Sequence, residues 1–204
     1  MIEMDVNGSN VTLVPVVKGL VEEGRRIAEI VNSSNHECIG LSISIEEIEG
    51  LRNLDPASEY EMNNVEIAYA KLLSDFGEVQ VPPPCYHQAI VAADRKGVPT
   101  EALDMNDVEY TDAYCELIKV RDMFRESIIS KRILKTRFDV TTVEDFIVDW
   151  DSRINSPKGF RLLEKRREEY IAKRIRELSQ SCGKMLAIVD LERSEGVRKI
   201  LQNL

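Results

Sequence analysis

Chemistry in this sequence concentrates where short apolar runs give way to charged or hydroxyl side chains. Lys18 follows the run 11–17, Ser42 and Ser44 stand at the run 38–43, Asp104 follows 98–103, and Asp190, Glu192 and Arg193 follow 185–189. If these runs are strands of an open α/β sheet, the residues after them fall on the carboxyl edge, where loops converge and helix N-termini present unbonded N–H groups. Two cations and two or three carboxylates on such an edge suit binding of a polar or anionic ligand. They also suit acid/base chemistry, if their pKa values are driven apart. Every open α/β edge is polar, however, so solvated loops alone would give the same pattern.

The common catalytic signatures are missing. There is no glycine-rich phosphate loop and no nucleophile elbow, and Gly19 and Gly24 are too sparse for a dinucleotide fingerprint. His36 and His87 cannot build a histidine-rich zinc site, so neither a metal nor another cofactor is expected. Cys85-Tyr86-His87 places a thiol near a base, but adjacent positions on a helix point in different directions.

The four runs read as strands buried on both faces. Between the first two lies a helix with Leu20, Ile27 and Val31 on one face and Glu22, Glu23, Arg25, Arg26 and Glu29 on the other. That makes a β-α-β unit with parallel strands and a right-handed crossover. Pro15 inside the first run predicts an edge position or a bulge. Ser44 with Glu47 fits a capping box that opens a helix carrying Ile48 and Leu51, which Asp55 and Pro56 break. An amphipathic stretch follows over 60–76, and three prolines at 82–84 form an extended spacer. Helical spacing resumes over 85–96 until Gly97 stops it.

Residues 108–179 read as two or three helices, interrupted near 139–142 and at Ser156-Pro157; Gly183 ends the last of them, and residues 194–201 form a closing helix. The expected architecture is one α/β domain over 1–204: a small parallel or mixed sheet flanked by helices, with a helical insertion at about 106–182 before the last strand.

A chain of 204 residues buries roughly 70% of its unfolded surface, enough for a substantial core. Its 27 basic and 36 acidic side chains give a net charge of −9, which repels phosphate backbones and anionic headgroups, so nucleic acid is not an expected partner. The basic residues between Lys158 and Arg176 are interleaved with Glu164, Glu168, Glu169 and Glu177, the pattern of a solvated helix face. No run approaches the roughly 20 apolar residues that span a bilayer, and residues 1–10 lack the regions of a signal peptide. A cytoplasmic protein with no membrane partner is expected. In that reducing setting Cys38, Cys85, Cys115 and Cys182, which lack metal-ligand spacing, are expected to be buried free thiols.

The segment 164–175, Glu-Lys-Arg-Arg-Glu-Glu-Tyr-Ile-Ala-Lys-Arg-Ile, followed by a strand and then Glu195-Gly196-Val197-Arg198-Lys199-Ile200-Leu201, resembles the C-terminal half of the TraB/PrgY family. That family is related to the Tiki proteases and to ChaN and erythromycin-esterase-like domains. Ala89-Ile90, Ala93 and Gly97 leading to Asp104 are similar to its alanine-rich helix and acidic strand end. Asp104, Arg167 and Gly196 match the family pattern. Lys18 and Arg193 stand where the family has its two motif histidines, Ser42 where it has a strand acid, Cys85 near another, and Met105 where it has an arginine.

The resemblance implies that a metal-hydrolytic site of the Tiki kind is lost, because fixed cations repel a divalent ion. It implies instead a catalytically degenerate domain that binds a small anionic molecule or a protein partner near Lys18, Ser42, Asp104, Arg167, Asp190, Glu192 and Arg193. One alternative is a hydrolase or transferase with Asp104, Asp190 or Glu192 as general base. Another is a regulatory or self-assembling protein, a homodimer whose helices meet through Val120, Phe124 and Ile128.

Overall fold

Asn7 and Gly8 both take positive φ, 56° and 83°, and turn the chain back on itself between β1 (Ile2–Val6) and β2 (Ser9–Val16). The two strands pair antiparallel from Val6 opposite Ser9 to Ile2 opposite Leu13. An Asn-Gly pair is the commonest two-residue hairpin turn, because both positions need a left-handed backbone. The computed structural model describes residues 1–54, 62–133 and 135–203.

The remaining elements are α1 (Val21–Ser33), β3 (Cys38–Leu41), α2 (Ile45–Arg52), α3 (Asn64–Leu73), α4 (Pro84–Lys96) and β4 (Thr100–Ala102). They are followed by α5 (Asp107–Leu117), α6 (Val120–Ile133), α7 (Val143–Ile154), α8 (Lys158–Ser179), β5 (Lys184–Asp190) and α9 (Leu191–Gln202). The sheet is mixed and five-stranded, in the order β1-β2-β5-β3-β4, and only β1 runs antiparallel. Helices α5 to α8 form the insertion before the last strand. That strand then enters the middle of the sheet, between β2 and β3.

Strand alternation decides which helices cover which face. Val14, Val16, Ile39, Leu41, Leu186 and Ile188 pack against Ile27 and Val31 of α1 and Tyr86, Ala89 and Ile90 of α4. Val11, Leu13, Met185, Ala187 and Val189 face the other way, onto Ile171, Ala172 and Ile175 of α8 and Val197 of α9. Each fully buried aliphatic side chain contributes roughly 1.5–3 kcal/mol, so these two layers dominate the stability of the sheet. A third cluster, built on Phe146 and Trp150 of α7 with Ala68 and Leu73 of α3, packs on Val17 and Leu20 and draws in Leu191. These follow the carboxyl ends of β2 and β5, so α3 and α7 overhang the edge where the charged residues emerge.

Several expectations are corrected. Residues 1–10 hold a strand and a turn that the sequence reading left unassigned. Pro15 is not on an edge strand, since β2 has neighbours on both sides. The edge is local, because β1 reaches only to Leu13, and the Pro15 carbonyl accepts from Arg26 Nη2 at 2.7 Å where a strand partner is lacking. Among the described residues the insertion contains four helices, not two or three, because the chain also breaks at Ile118 and Lys119, where the Asp122 carboxylate accepts from the Lys119 N–H at 3.3 Å. Helix α8 ends at Ser179 rather than Gly183, and the closing helix starts at Leu191, which puts Glu192 and Arg193 in its first turn.

The Ser44–Glu47 capping box forms as read, and Gly97 caps α4 at φ 67°. The break assigned to Asp55 and Pro56 lies outside the described residues, as does the start of the 60–76 stretch, whose helix is α3.

Cys38 and Cys182 are joined by a disulfide, which overturns the reading of both as free thiols. Cys38 opens β3 opposite Met185 of β5, and Cys182 sits just before β5, so strand pairing itself brings the two sulfurs together. A sequence separation of 144 hid that proximity. Cys85 is a buried thiol as expected, while Cys115 is exposed.

Candidate functional site

Asp190 is the last residue of the central strand, and its side chain is 1% exposed. A carboxylate that deep needs compensation, and three elements supply it. Lys18, after β2, reaches it with Nζ at 2.9 Å, Arg193 in the first turn of α9 pairs with the same oxygen, and Tyr86 at the start of α4 donates to the other. The Asp190 N–H donates to Ser42 Oγ at 2.9 Å, and Ser42 Oγ lies 2.9 Å from the Tyr86 hydroxyl. Because the Tyr86 proton is committed to Asp190, Ser42 donates to Tyr86.

From Arg193 the network continues. Glu164 of α8 meets Arg193 Nη2 at 2.6 Å and Arg167 Nη1 at 3.2 Å, and Arg167 Nε donates to Asp104 Oδ2 at 3.0 Å. Asp104 follows β4 and also accepts from the Met105 N–H at 2.8 Å. Glu192 bridges Lys18 and Arg193 at 3.4 Å each. All seven residues expected at the rim, Lys18, Ser42, Asp104, Arg167, Asp190, Glu192 and Arg193, therefore lie in one connected set of ion pairs and hydrogen bonds. Gly196 lies one turn beyond Glu192 on α9, where a side chain would collide with the Glu168 carboxylate of α8.

The electrostatics follow from burial set against partners. Burial pushes the Asp190 carboxyl up, but Lys18 and Arg193 outweigh it and hold it at about 2. Burial also opposes ionisation of Glu164, which Arg193 and Arg167 overcome, lowering its pKa. Lys18 and Arg193 are stabilised as cations against their own burial, by Asp190 and Glu192 for the first and by Glu164 and Asp190 for the second. A carboxylate held at about 2 is a poor base, and a lysine held charged is a poor nucleophile. Three cations answer four carboxylates, so the network has no positive charge to spare for an anion. Among the described residues no group of three or more His, Cys, Asp or Glu side chains is arranged to hold a metal ion.

Beside this network opens a cleft of about 340 Å³. Its walls are largely apolar, with Val65 and Tyr69 from α3, Val79 and Val81 from the following loop, and Ile147, Trp150 and Ile154 from α7. Lys18 and Glu192 form the side shared with the network, and Asp151 lines the cleft on α7. Tyr69 and Trp150 meet edge to face with ring centroids 5.4 Å apart, and the Tyr69 hydroxyl donates to the Lys18 carbonyl at 3.0 Å. The Asp151 carboxylate accepts from Asn155 Nδ2 at 2.8 Å. Burial, then repulsion from Glu192 and Glu164, pushes its pKa up to about 6.

Sequence reasoning missed Tyr86, Glu164 and Asp151. Glu164 had a signal, standing one turn before Arg167 on a helix whose interleaved charges read as a solvated face. Lys165–Glu169 and Lys173–Glu177 do form exposed pairs on that helix, whereas the Glu164 and Arg167 side chains are each 18% exposed. Asp151 had only its setting, a carboxylate directly after the apolar stripe of Phe146, Ile147 and Trp150. No protein-family model matches the chain, and no curated protein matches it in sequence.

Proposed function

We propose that this chain is a non-hydrolytic, TraB-like domain that binds a small molecule in the cleft at the carboxyl edge of its sheet, with the ion network as the rigid floor. One observation carries the reading: the cleft, of about 340 Å³, opens onto Lys18 and Glu192, the two network members that also line it. Ligand sites favour this combination of apolar wall and few fixed polar groups, at the strand ends of open sheets. Hydrolysis through the network is disfavoured because Asp104, Asp190 and Glu192 are each engaged by a cation, and Asp190 is held at about 2.

The chain has one tryptophan, Trp150, and it lines the cleft, so its fluorescence reports occupancy. Small-molecule titration is expected to give a saturable change in that emission. Ala70→Phe, which fills the cleft from α3, is expected to abolish it at unchanged melting temperature. Binding that persists in Ala70→Phe would place the site elsewhere.

Self-association is the second reading, favoured by one feature. Val120, Met123 and Phe124 on α6 are 83%, 48% and 67% exposed and share a helix face, while Ile128 is half-buried. Sedimentation of Phe124→Glu against the parent chain separates the cases, since a dimer through this face dissociates and a monomer is unaffected.

A further inference from the structure

Resting on the reading of the cleft as a ligand site, we infer that its ligand is a small organic cation, an amine on an aromatic or aliphatic body, with Asp151 as counter-ion. The first ground is charge. Of the described residues lining the cleft, Lys18 is the one cation and Glu47, Glu66, Asp151 and Glu192 are carboxylates. Lys18 is already bridged to Asp190 and Glu192, so an anion entering the cleft meets a neutralised lysine and an excess of negative charge. Glu47 and Glu66 are engaged at the N-termini of α2 and α3. Among the described residues Asp151 makes no ion pair, and Asn155 supplies a neutral hydrogen bond only.

The second ground is the wall of the cleft that Asp151 also lines. Tyr69 and Trp150 stand at an edge-to-face corner, and aromatic faces attract a cation within about 6 Å of the ring centre. Val65, Ile147 and Ile154 supply apolar surface for the rest of the ligand. The volume suits a small molecule rather than a peptide helix.

The third ground is the strain of Asp151 as an ion. Glu192 and Arg193 of α9, Glu164 and Glu168 of α8 and Asn155 of α7 are the titratable and polar groups that act on it, and the carboxylates outnumber the one guanidinium. Arg193 is itself engaged by Asp190, Glu164 and Glu192. A bound ammonium relieves the repulsion that its neighbours leave uncompensated. Because the contact needs the ionised carboxylate, binding strengthens as pH rises through about 6.

Phenethylamine, phenethyl alcohol and phenylacetate are near-isosteric probes that differ in charge, and each can be titrated into the full chain against Trp150 fluorescence. The expected result at about pH 8 is amine binding roughly ten-fold tighter than the alcohol, the value of one charge-assisted hydrogen bond, with phenylacetate weakest. At about pH 5 the amine preference should shrink. Asp151→Asn should lose the preference while keeping the affinity for the alcohol. Tightest binding of phenylacetate, equal affinity for all three, or an amine preference that survives Asp151→Asn overturns the inference and leaves the cleft a ligand site. No saturable response to any of the three overturns both.

Discussion

Asp190 and Asp151 both feel the Arg193 guanidinium, yet their environments drive them in opposite directions. Asp190 sits in a network where Lys18, Arg193, Tyr86 and the Ser42 hydroxyl serve one buried strand end, and its pKa falls from 3.8 to about 2. Asp151 sits on the apolar wall of the cleft with a single neutral donor, and burial with repulsion from Glu192 and Glu164 raises its pKa from 3.8 to about 6. Burial acts on both carboxylates. Partners decide the sign. Where charges answer one another the rim is scaffold, and the place proposed for a ligand is where one carboxylate lacks a cationic partner on an apolar wall.

Removing the counter-ion from the network gives the largest expected effect. Asp190→Ala removes the closer of the two carboxylates that Lys18 and Arg193 share, and breaking a buried pair from one side costs about 3–5 kcal/mol. Urea denaturation should show the midpoint fall by that measure. An unchanged midpoint would mean that the network is ornamental and the contrast with Asp151 meaningless.

The opposite edge of the sheet provides a control. Cys182→Ser opens the disulfide to Cys38, with an expected loss of about 2–4 kcal/mol. Because that bond is far along β5 from Asp190, the double variant with Asp190→Ala should lose the sum of the two, as independent sites do. Asp190→Ala combined with Arg193→Met should instead lose clearly less than the sum, since both substitutions break one ion pair.

Acid titration sharpens the comparison further. A depressed carboxyl such as Asp190 contributes stability that is present above its unfolded pKa of about 3.8 and is lost as pH falls towards 2. A raised carboxyl has the opposite slope, because the native state then holds the proton more tightly than the unfolded chain. Asp151 should make stability decline as pH rises from about 4 to about 6. Asp151→Asn is therefore expected to stabilise the chain at neutral pH by about 1 kcal/mol once solvent screening is allowed for, and to flatten that decline. Thermal melts across this range would refute the assignment if Asp151→Asn lowered stability at pH 7.

The smallest effect separates scaffold from site. Tyr86→Phe removes one donor to Asp190 and should cost about 1 kcal/mol while leaving ligand affinity in the cleft unchanged. A matching loss of affinity would join the two regions into one site.

Much of this arrangement was readable beforehand, for reasons that differ by residue. The runs ending at Lys18, Asp104 and Asp190 announced strands because residues buried on both faces leave continuous apolar stretches. Convergence of their ends then followed from the parallel topology that a β-α-β unit imposes. Glu164 was misread because helix spacing places charges on faces without saying which face meets a buried arginine. The Asn7-Gly8 turn was legible by its own chemistry and went unread. Asp151 was not legible as a cleft residue, because its place depends on α3 and α7 lying over the strand ends, which a carboxylate after an apolar stripe does not encode.

The sequence by itself determined the strands, their direction, the caps of α2 and α4, and the supply of charged residues at the strand ends, because these depend on periodicity and local backbone preference. Only the tertiary structure decided which charges pair, that Cys38 meets Cys182, and that Asp151 faces a cleft whose lysine, Lys18, is already paired with Asp190 and Glu192. Those outcomes depend on distances between segments far apart in the chain. In a low-dielectric interior, such distances set the sign of every electrostatic effect.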